Sequence, residues 1–157
     1  MADGNLHVSV LGAGSFGTTV AHLAARNTDT TLWCRRADTA DEVNTERTNS
    51  RYLADSKIND RITATADLEK AITKADVIVM GVPSHGYREI LEHVAHHIRA
   101  WVPLVTLAKG LEQGTDLRRT EVIREMIPDH RAGVLTGPNL AKEIMAGYAA
   151  ASVLAFE

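Results

Sequence analysis

Short apolar runs alternate with amphipathic segments along nearly all of this 157-residue sequence, and this pattern restricts its fold more than any other feature. Consecutive apolar residues are typical of strands that helices cover on both faces. Strands that alternate with helices favour βαβ units, so we expect an α/β fold with a doubly wound, mostly parallel sheet. The predicted strands span 7–12, 30–34, 77–82, 103–108, 132–137 and 149–156, with 61–65 as a weaker candidate. The predicted helices span roughly 16–26, 38–48, 67–74, 86–99, 116–127 and 139–146.

Individual residues predict where these helices begin and end. Asn27 follows the first helix, where a residue that tolerates left-handed geometry is favoured. Asp67 and Thr115 are expected N-caps, and Pro128 is expected to end the helix before it. Residues 45–60 form the longest irregular polar stretch, so we expect a surface loop there.

The composition is that of an ordinary globular protein, with 45% hydrophobic and 24% charged residues. A formal net charge of −3 speaks against a general nucleic-acid or anionic-membrane surface, because such partners favour clustered Lys and Arg. The single cysteine, Cys34, excludes an internal disulfide. No apolar run is long enough to span a membrane, and residues 1–7 lack the features of a secretory signal. We therefore expect a cytoplasmic protein with no nucleic-acid partner and no membrane insertion. His93, His96 and His97 fit the polar face of a helix, and we expect no metal site.

The first predicted strand runs into a glycine-rich turn, GAGSFG at 12–17, that fits the pattern G-x-G-x-x-G. In a dinucleotide-binding turn, Gly12 permits the tight bend, Gly14 lets the backbone approach a pyrophosphate, and Gly17 lets the helix pack on the strand. The helix N-terminus would offer free N–H groups to the phosphates. Because this turn lies between a strand and a helix, we expect it to bind a dinucleotide; the alternative is a tight turn without a ligand.

The residues after the second predicted strand bear on which dinucleotide is bound. A site specific for NAD normally has Asp or Glu there, but this sequence has Arg35 and Arg36, and the next carboxylate is Asp38. Two guanidinium groups suit a 2′-phosphate, so we expect NADPH to be preferred, with NADH as a usable cofactor. The alternative is that one or both arginines face solvent, or stack on the adenine and bind NADH equally well. Cys34 is expected to be a small core residue rather than a nucleophile.

Three further segments would lie at the carboxyl edge of the sheet, where ligands of doubly wound folds bind. VPS at 82–84 would run beside the cofactor, or is a plain connection. Lys109 would present a positive charge to a substrate phosphate or carbonyl, although an isolated lysine there is more often a surface residue. TGPN at 136–139 would lead into a helix capped by Asn139, either as an anion-binding turn or as a structural one.

Taken together, six segments resemble a known enzyme family. They are, in order, GAGSFGTT, LWCRR, VNTERTNSRYL, VPS, LAKGLE and TGPNLAKEI. The sequence is similar over essentially its whole length to the N-terminal domain of bacterial NAD(P)-dependent glycerol-3-phosphate dehydrogenases. Their segments typically read GAGSWGTA, LWxR, INxxRxNxxYLPG, VPS, KGIE and SGPSFAxE or SGPNLAxE. The resemblance implies that residues 1–157 form a Rossmann-like NAD(P)-binding domain. The enzyme would interconvert dihydroxyacetone phosphate and sn-glycerol 3-phosphate for glycerophospholipid synthesis.

The resemblance also implies roles for individual residues. Ser15 and Phe16 match cofactor contacts of the glycine turn, with Phe16 in place of the usual Trp or Tyr. Lys109 matches the lysine that touches both cofactor and substrate and supplies positive charge for catalysis. Other matched positions are Arg35, Arg36, Tyr52 and Ala141 for the cofactor and Gly137 and Asn139 for glycerol 3-phosphate.

The sequence departs from the family in its loop and its length. YLAD at 52–55 replaces YLPG and Asn59 replaces a usual proline, so we expect a more mobile loop; Thr136 replaces a serine. Family members are considerably longer, and their second, helical domain carries the principal catalytic lysine and would form any homodimer. We therefore expect this chain to bind cofactor and to turn over little substrate.

Two other functions stay open on the sequence alone. One is a stand-alone dinucleotide-binding sensor or regulatory module, which would have a shielded surface where a second domain otherwise packs. The other is a related 3-hydroxyacid or 6-phosphogluconate-type dehydrogenase, although the KGLE and TGPN segments favour the glycerol-3-phosphate family by resemblance.

Overall fold

A computed structural model describes residues 6–54 and 56–156; Asp55 of the YLAD segment and residues 1–5 of the N-terminus lie outside the described residues. The strands of this part are β1 (His7–Leu11), β2 (Asp29–Trp33), β3 (Ile62–Thr65), β4 (Val77–Met80), β5 (Leu104–Thr106), β6 (Ala132–Thr136) and β7 (Val153–Phe156). Its helices are α1 (Ser15–Ala24), α2 (Ala37–Glu46), α3 (Ser50–Leu53), α4 (Leu68–Thr73), α5 (Tyr87–His97), α6 (Arg119–Met126) and α7 (Ala141–Met145), with a 3₁₀ turn at Ser84–Gly86. Every predicted strand is confirmed, and the weaker candidate is β3.

The strands form one sheet in the order β3-β2-β1-β4-β5-β6-β7. All neighbouring pairs are parallel except β6 and β7, which are antiparallel. The predicted Rossmann-like, doubly wound fold is therefore confirmed. The chain leaves β1 toward β2 on one side and continues from β4 on the other, so the strand order reverses between β1 and β4. In such sheets this reversal opens a crevice at the carboxyl ends of the strands.

Two apolar layers cover the two faces of the sheet. Successive residues of a strand point to opposite faces, and in β1 Val10 belongs to one cluster while Leu11 belongs to the other. The Val10 layer includes small residues of α1 such as Ala21, which let this helix lie close to the strands. The Leu11 layer includes Leu91 of α5 and Ile123 of α6. The consecutive apolar positions of the strands thus arise from burial on both faces.

The predicted helix ends are right at two positions and wrong at two. The Asp67 carboxylate accepts a hydrogen bond from the Lys70 N–H and caps α4, and α6 ends two residues before Pro128. Thr115 is not a cap, because α6 begins at Arg119 and the Thr115 hydroxyl instead bonds to a glutamate. Asn27 does not adopt left-handed geometry, because α1 has already ended at Ala24 with a right-handed residue after it.

The predicted surface loop at 45–60 is wrong in part. Arg47 adopts a left-handed conformation with φ 57° at the end of α2, and the short helix α3 follows. Asn49, Leu53 and Ile58 are buried, so this polar stretch contributes core residues. Sequence periodicity misses it because a four-residue helix is too short to show a repeat.

The two tryptophans lie in opposite environments. Trp33 ends β2, is 8% exposed, and its carbonyl accepts a hydrogen bond from the Gly12 N–H. Trp101 precedes β5, is 86% exposed and has a positive φ of 70°. Across the described ranges, no helix combines the length and apolar character needed to cross a bilayer.

Candidate dinucleotide site

The glycine turn occupies the point where the strand order reverses. Gly12 has φ +121°, and a Cβ atom there would lie 2.5 Å from the Gly81 carbonyl oxygen at the end of β4. A Cβ atom on Gly17 would collide with the Gly12 carbonyl oxygen. A Cβ atom on Gly14, in contrast, would meet no atom within 4 Å beyond its own chain neighbours. Packing therefore requires glycine at two of these positions, and at the third it leaves open space for a ligand.

A cleft of about 260 Å³ opens beside this turn. It is bounded by the carboxyl ends of three neighbouring strands and by the start of α1. Its lining residues are Gly14, Ser15, Phe16, Gly17, Gly81, Val82, Pro83, Ser84, Leu107, Ala108 and Lys109. The glycine turn, the VPS segment and Lys109, predicted separately, thus border one space.

The first turn of α1 presents its backbone N–H groups to this cleft. Gly14 precedes the helix with extended geometry, and no side chain caps the helix or places a carboxylate in its first turn. The first N–H groups of an α-helix have no partners within the helix and favour anions. The donor set and the open space at Gly14 fit a phosphate-bearing ligand.

Lys109 and Gly137 are joined directly. The Lys109 ammonium donates a hydrogen bond to the Gly137 carbonyl oxygen at 3.3 Å, which links the ends of β5 and β6. The Asn139 N–H donates to the same carbonyl at 2.9 Å, and Asn139 Oδ1 accepts a bond from the Ser152 hydroxyl. The predicted capping of α7 by Asn139 is wrong, because Leu140 is the N-cap and no side chain caps it. Lys109, Gly137 and Asn139 nevertheless form one polar group at the sheet edge.

An ionic network holds the loop after Lys109 in place. Arg88 of α5 donates to both Glu112 carboxylate oxygens, at 2.9 and 2.7 Å, and the Thr115 hydroxyl donates to the same carboxylate. These bonds, with Arg88 foremost, lower the pKa of Glu112 to about 2. Arg119 is 3% exposed, stacks on the Tyr87 ring at 5.2 Å, and donates to the Leu111 carbonyl. The loop that carries Lys109 is therefore anchored to α5 and α6.

The two arginines after β2 differ in their surroundings. Arg36 forms a bidentate ion pair with Asp38, and this guanidinium holds the pKa of Asp38 at about 2. Arg35 is exposed, and within the described residues its guanidinium has no hydrogen-bond or ion-pair partner. Tyr52 is 45% exposed on α3, and the Arg51 guanidinium lies over its ring.

Several predicted residues lie outside the cleft. Arg35, Arg36, Tyr52 and Ala141 do not line it, although α7, which Ala141 begins, packs against α1. Cys34 is buried, and burial raises the pKa of its thiol to about 12, as expected of a core residue. No group of three or more metal-ligating side chains occurs in residues 6–54 and 56–156.

Comparison with known proteins assigns the fold to a family. The profile described as the N-terminus of NAD-dependent glycerol-3-phosphate dehydrogenase matches residues 7–157. The chain belongs to this family. It is 52% identical over 149 residues to glycerol-3-phosphate dehydrogenase (NAD(P)+) of Mycobacterium avium, covering 94% of this chain and 44% of the relative. It is 50% identical to the enzyme of the same name from Sphingopyxis alaskensis, covering 95% of this chain and 45% of the relative.

A solved structure supports the same family. The crystal structure of glycerol-3-phosphate dehydrogenase from Coxiella burnetii superposes with a TM-score of 0.89 at 31% identity, covering 97% of this chain and 47% of that chain. The chain thus spans less than half the length of the glycerol-3-phosphate dehydrogenases it matches.

Sequence reasoning missed three lining residues and one residue beneath the turn. Gly81, Leu107 and Ala108 border the cleft because they end β4 and β5, which the strand pattern alone could have indicated. Asn49 is fully buried, and its side-chain amide donates to the Ala13 carbonyl of the glycine turn. Its presence in the family-like segment VNTERTNSRYL was the available signal.

Proposed function

We propose that this chain is the NAD(P)-binding domain of an enzyme that interconverts dihydroxyacetone phosphate and sn-glycerol 3-phosphate. The observation that carries the proposal is the cleft in which the α1 N-terminus and Lys109 border the same space. The family assignment and the open space at Gly14 support it.

Each part of the cleft has a role toward the cofactor in this proposal. A bound reduced nicotinamide would supply the hydride for ketone reduction. The N–H groups at Gly14, Ser15 and Phe16 would hold the cofactor phosphates, with Gly12 and Gly17 fixing the turn. Tyr52 and Ala141 would contact the cofactor from α3 and α7, as the resemblance implies.

Lys109 would serve both cofactor and substrate. An exposed cation beside the cleft stabilises a substrate phosphate or the negative charge that develops on the ketone oxygen. The bond from Lys109 to the Gly137 carbonyl holds the lysine next to Asn139. Gly137 and Asn139 would contact glycerol 3-phosphate together with Lys109. No residue of this chain is assigned the proton-donor role.

NADPH would be preferred mainly because of Arg35. Arg36 is paired with Asp38, so the Arg35 guanidinium is the cation available for a 2′-phosphate. Asp38 adds negative charge, and its carboxylate could also accept a bond from a 2′-hydroxyl, which keeps NADH usable.

The surface around α7 and β7 favours a domain of an enzyme over a stand-alone module. All four residues of β7 are exposed, although they read Val-Leu-Ala-Phe. Leu140 and Tyr148 near α7 are exposed as well. Exposed apolar side chains grouped on neighbouring elements favour an interaction site. The relatives are longer than this chain, and the family resemblance implies a second domain that would cover this surface. We expect the second domain to carry the principal catalytic lysine and to form any homodimer contact. We therefore expect little turnover by this chain alone. We assign the enzyme to the cytoplasm.

Calorimetric titration with NADPH and NADH, at one salt concentration, tests the proposal. We expect both to bind, NADPH more tightly, and Arg35→Ala to reduce the preference more than Arg36→Ala does. If Arg35→Ala and Arg36→Ala reduced the preference equally, the separate roles of the two arginines would be wrong. If NADPH and NADH bound equally tightly, the preference for NADPH would be wrong. Failure of both cofactors to bind would contradict the dinucleotide site itself.

A further inference from the structure

The buried side chain of Asn49 contacts the glycine turn but does not line the cleft. Asn49 lies between α2 and α3 and is 0% exposed. Its Nδ2 atom donates to the Ala13 carbonyl oxygen at 2.9 Å and to the Thr18 hydroxyl at 2.9 Å. The amide thus bonds to residues on both sides of the Gly14-to-Gly17 stretch, 36 and 31 residues earlier in the chain.

This contact sets the direction of one peptide group. In a trans peptide the C=O and the following N–H point in opposite directions. Because the Ala13 carbonyl is turned toward the buried Asn49, the Gly14 N–H is turned away from it, on the side where Gly14 lines the cleft. Within the described residues, this N–H donates to no acceptor.

Asn49 is itself held firmly. Its carbonyl accepts hydrogen bonds from the Tyr52 and Leu53 N–H groups. The Glu42 carboxylate of α2 accepts bonds from the Thr48 hydroxyl and from the Ser50 N–H and hydroxyl, on both sides of Asn49. A donor that is fixed before the ligand arrives costs less free energy to order on binding.

The burial of an asparagine here is not explained by stability alone. Among the described residues its Oδ1 atom has no hydrogen-bond partner, although it is buried. A buried polar atom without a partner destabilises a fold. The unpartnered Oδ1 offsets part of the stability that the two Nδ2 bonds contribute, while those bonds fix the glycine turn, which is the pattern of a site residue.

We propose that Asn49 is a positioning residue of the dinucleotide site, whose amide fixes the Ala13–Gly14 peptide so that the Gly14 N–H faces the cleft. The inference rests on the proposed dinucleotide binding. It adds a residue outside the cleft, on a segment that also carries Tyr52.

The test compares Asn49→Ala with Asn44→Ala. Asn44 is the control, matched in hydrogen bonds although it is exposed: its amide also makes two bonds, to the Ala64 carbonyl and N–H of β3, away from the glycine turn. NADP+ affinity is measured by calorimetry, and melting temperature by circular dichroism. We expect both variants to melt earlier. The dissociation constant should rise about tenfold in Asn49→Ala and change by less than about twofold in Asn44→Ala.

The outcomes separate this inference from the proposed function. If the unmodified protein binds NADP+ and Asn49→Ala binds equally well, the positioning role is wrong and the site stands. An equal loss of affinity in Asn44→Ala would reduce Asn49 to a general structural role and overturn the inference. If the unmodified protein does not bind, both fail.

Asn49→Asp provides a second test if Asn49→Ala does not fold. A protonated carboxyl can donate to the Ala13 carbonyl, whereas an ionised one can only accept. Relative to the unmodified protein, we expect this variant to bind NADP+ better at about pH 5 than at about pH 8. The same pH dependence in both proteins would overturn the positioning role.

Discussion

The Lys109 ammonium donates a hydrogen bond to the Gly137 carbonyl oxygen at 3.3 Å, across the ends of β5 and β6. The bond gives an exposed, flexible side chain a defined place at the edge of the cleft. Because its acceptor is a neutral carbonyl, the bond itself brings no opposing charge to the ammonium.

Replacing Lys109 with Met keeps the length of the side chain and removes its charge. We expect NADPH affinity to fall about tenfold, because a charged donor near the ligand is lost, while the melting temperature changes little. Lys109→Arg keeps the positive charge, so its NADPH affinity should fall less than that of Lys109→Met. The control is Lys142→Met, which removes an exposed lysine of α7 that does not line the cleft. Calorimetry of the three variants checks this, and equal affinities for all three would contradict the role of Lys109.

Gly14→Ala separates binding from folding. Beyond its own chain neighbours, no atom lies within 4 Å of the added methyl group, and the φ of −70° suits alanine, so we expect a stability loss of at most about 1 kcal/mol. The methyl group would occupy ligand space, so NADPH affinity should fall about a hundredfold. Gly17→Ala should instead destabilise the fold by about 3 kcal/mol through its collision with Gly12. Urea unfolding and calorimetry test the pair; unchanged affinity in Gly14→Ala would show that the ligand lies elsewhere.

Glu112 should make stability depend on pH. Its pKa is lowered from 4.5 to about 2 in the folded protein, chiefly by Arg88. A lowered pKa means that its contribution is complete above about pH 4.5 and is lost as the pH falls toward about 2. Glu112→Gln should cost about 2 kcal/mol at neutral pH, and the difference should shrink through this window.

Glu125→Gln is the control for that measurement. Glu125 bonds to the same arginine, but its side chain is 55% exposed, so its loss should cost little. Urea unfolding across the pH range compares the variants. A Glu112→Gln penalty that stays constant down to the acid end would contradict the ion-pair origin.

Asp38→Asn should increase the preference for NADPH. The substitution frees Arg36 and removes a carboxylate near the expected 2′-phosphate. The pair is exposed, so we expect a change of only about threefold in the ratio of NADH to NADPH dissociation constants. The effect should diminish at high salt, because exposed charges are screened. Titrations at low and high salt check this, and a shift toward NADH would refute it.

The sequence predicted well those features that depend on local pattern. Strand and helix positions follow from apolar periodicity, which burial on both faces of the sheet makes strong. The glycine turn follows from the close packing of Gly17 on Gly12, five residues earlier, which few other residues permit. Both are encoded within short stretches of the chain.

Features that depend on which partner a side chain selects, near or distant along the chain, were not predictable in this way. The pairing of Arg36 with Asp38 weakens the expectation that Arg35 and Arg36 bind a 2′-phosphate equally. The bond of Lys109 to Gly137 joins segments 28 residues apart, and that of Asn49 to Ala13 joins segments 36 apart. The expected cap Asn139 lies outside α7, one residue before its cap. Tertiary contacts decide what the side chains of Lys109 and Asn49 do, whereas Arg36 pairs with a carboxylate only two residues away.

The difference in exposure between Trp33 and Trp101 allows the intrinsic fluorescence of the two tryptophans to be separated. Iodide in solution reaches an indole that is 86% exposed and is excluded from one that is 8% exposed, so the quencher suppresses the emission of Trp101 first. The remaining fluorescence comes from Trp33, whose carbonyl is bonded to the first glycine of the turn. The emission that remains therefore comes from an indole whose N–H donates to the Ala66 carbonyl and whose residue lies one backbone hydrogen bond from the turn, and we expect NADPH binding to change it without an added label.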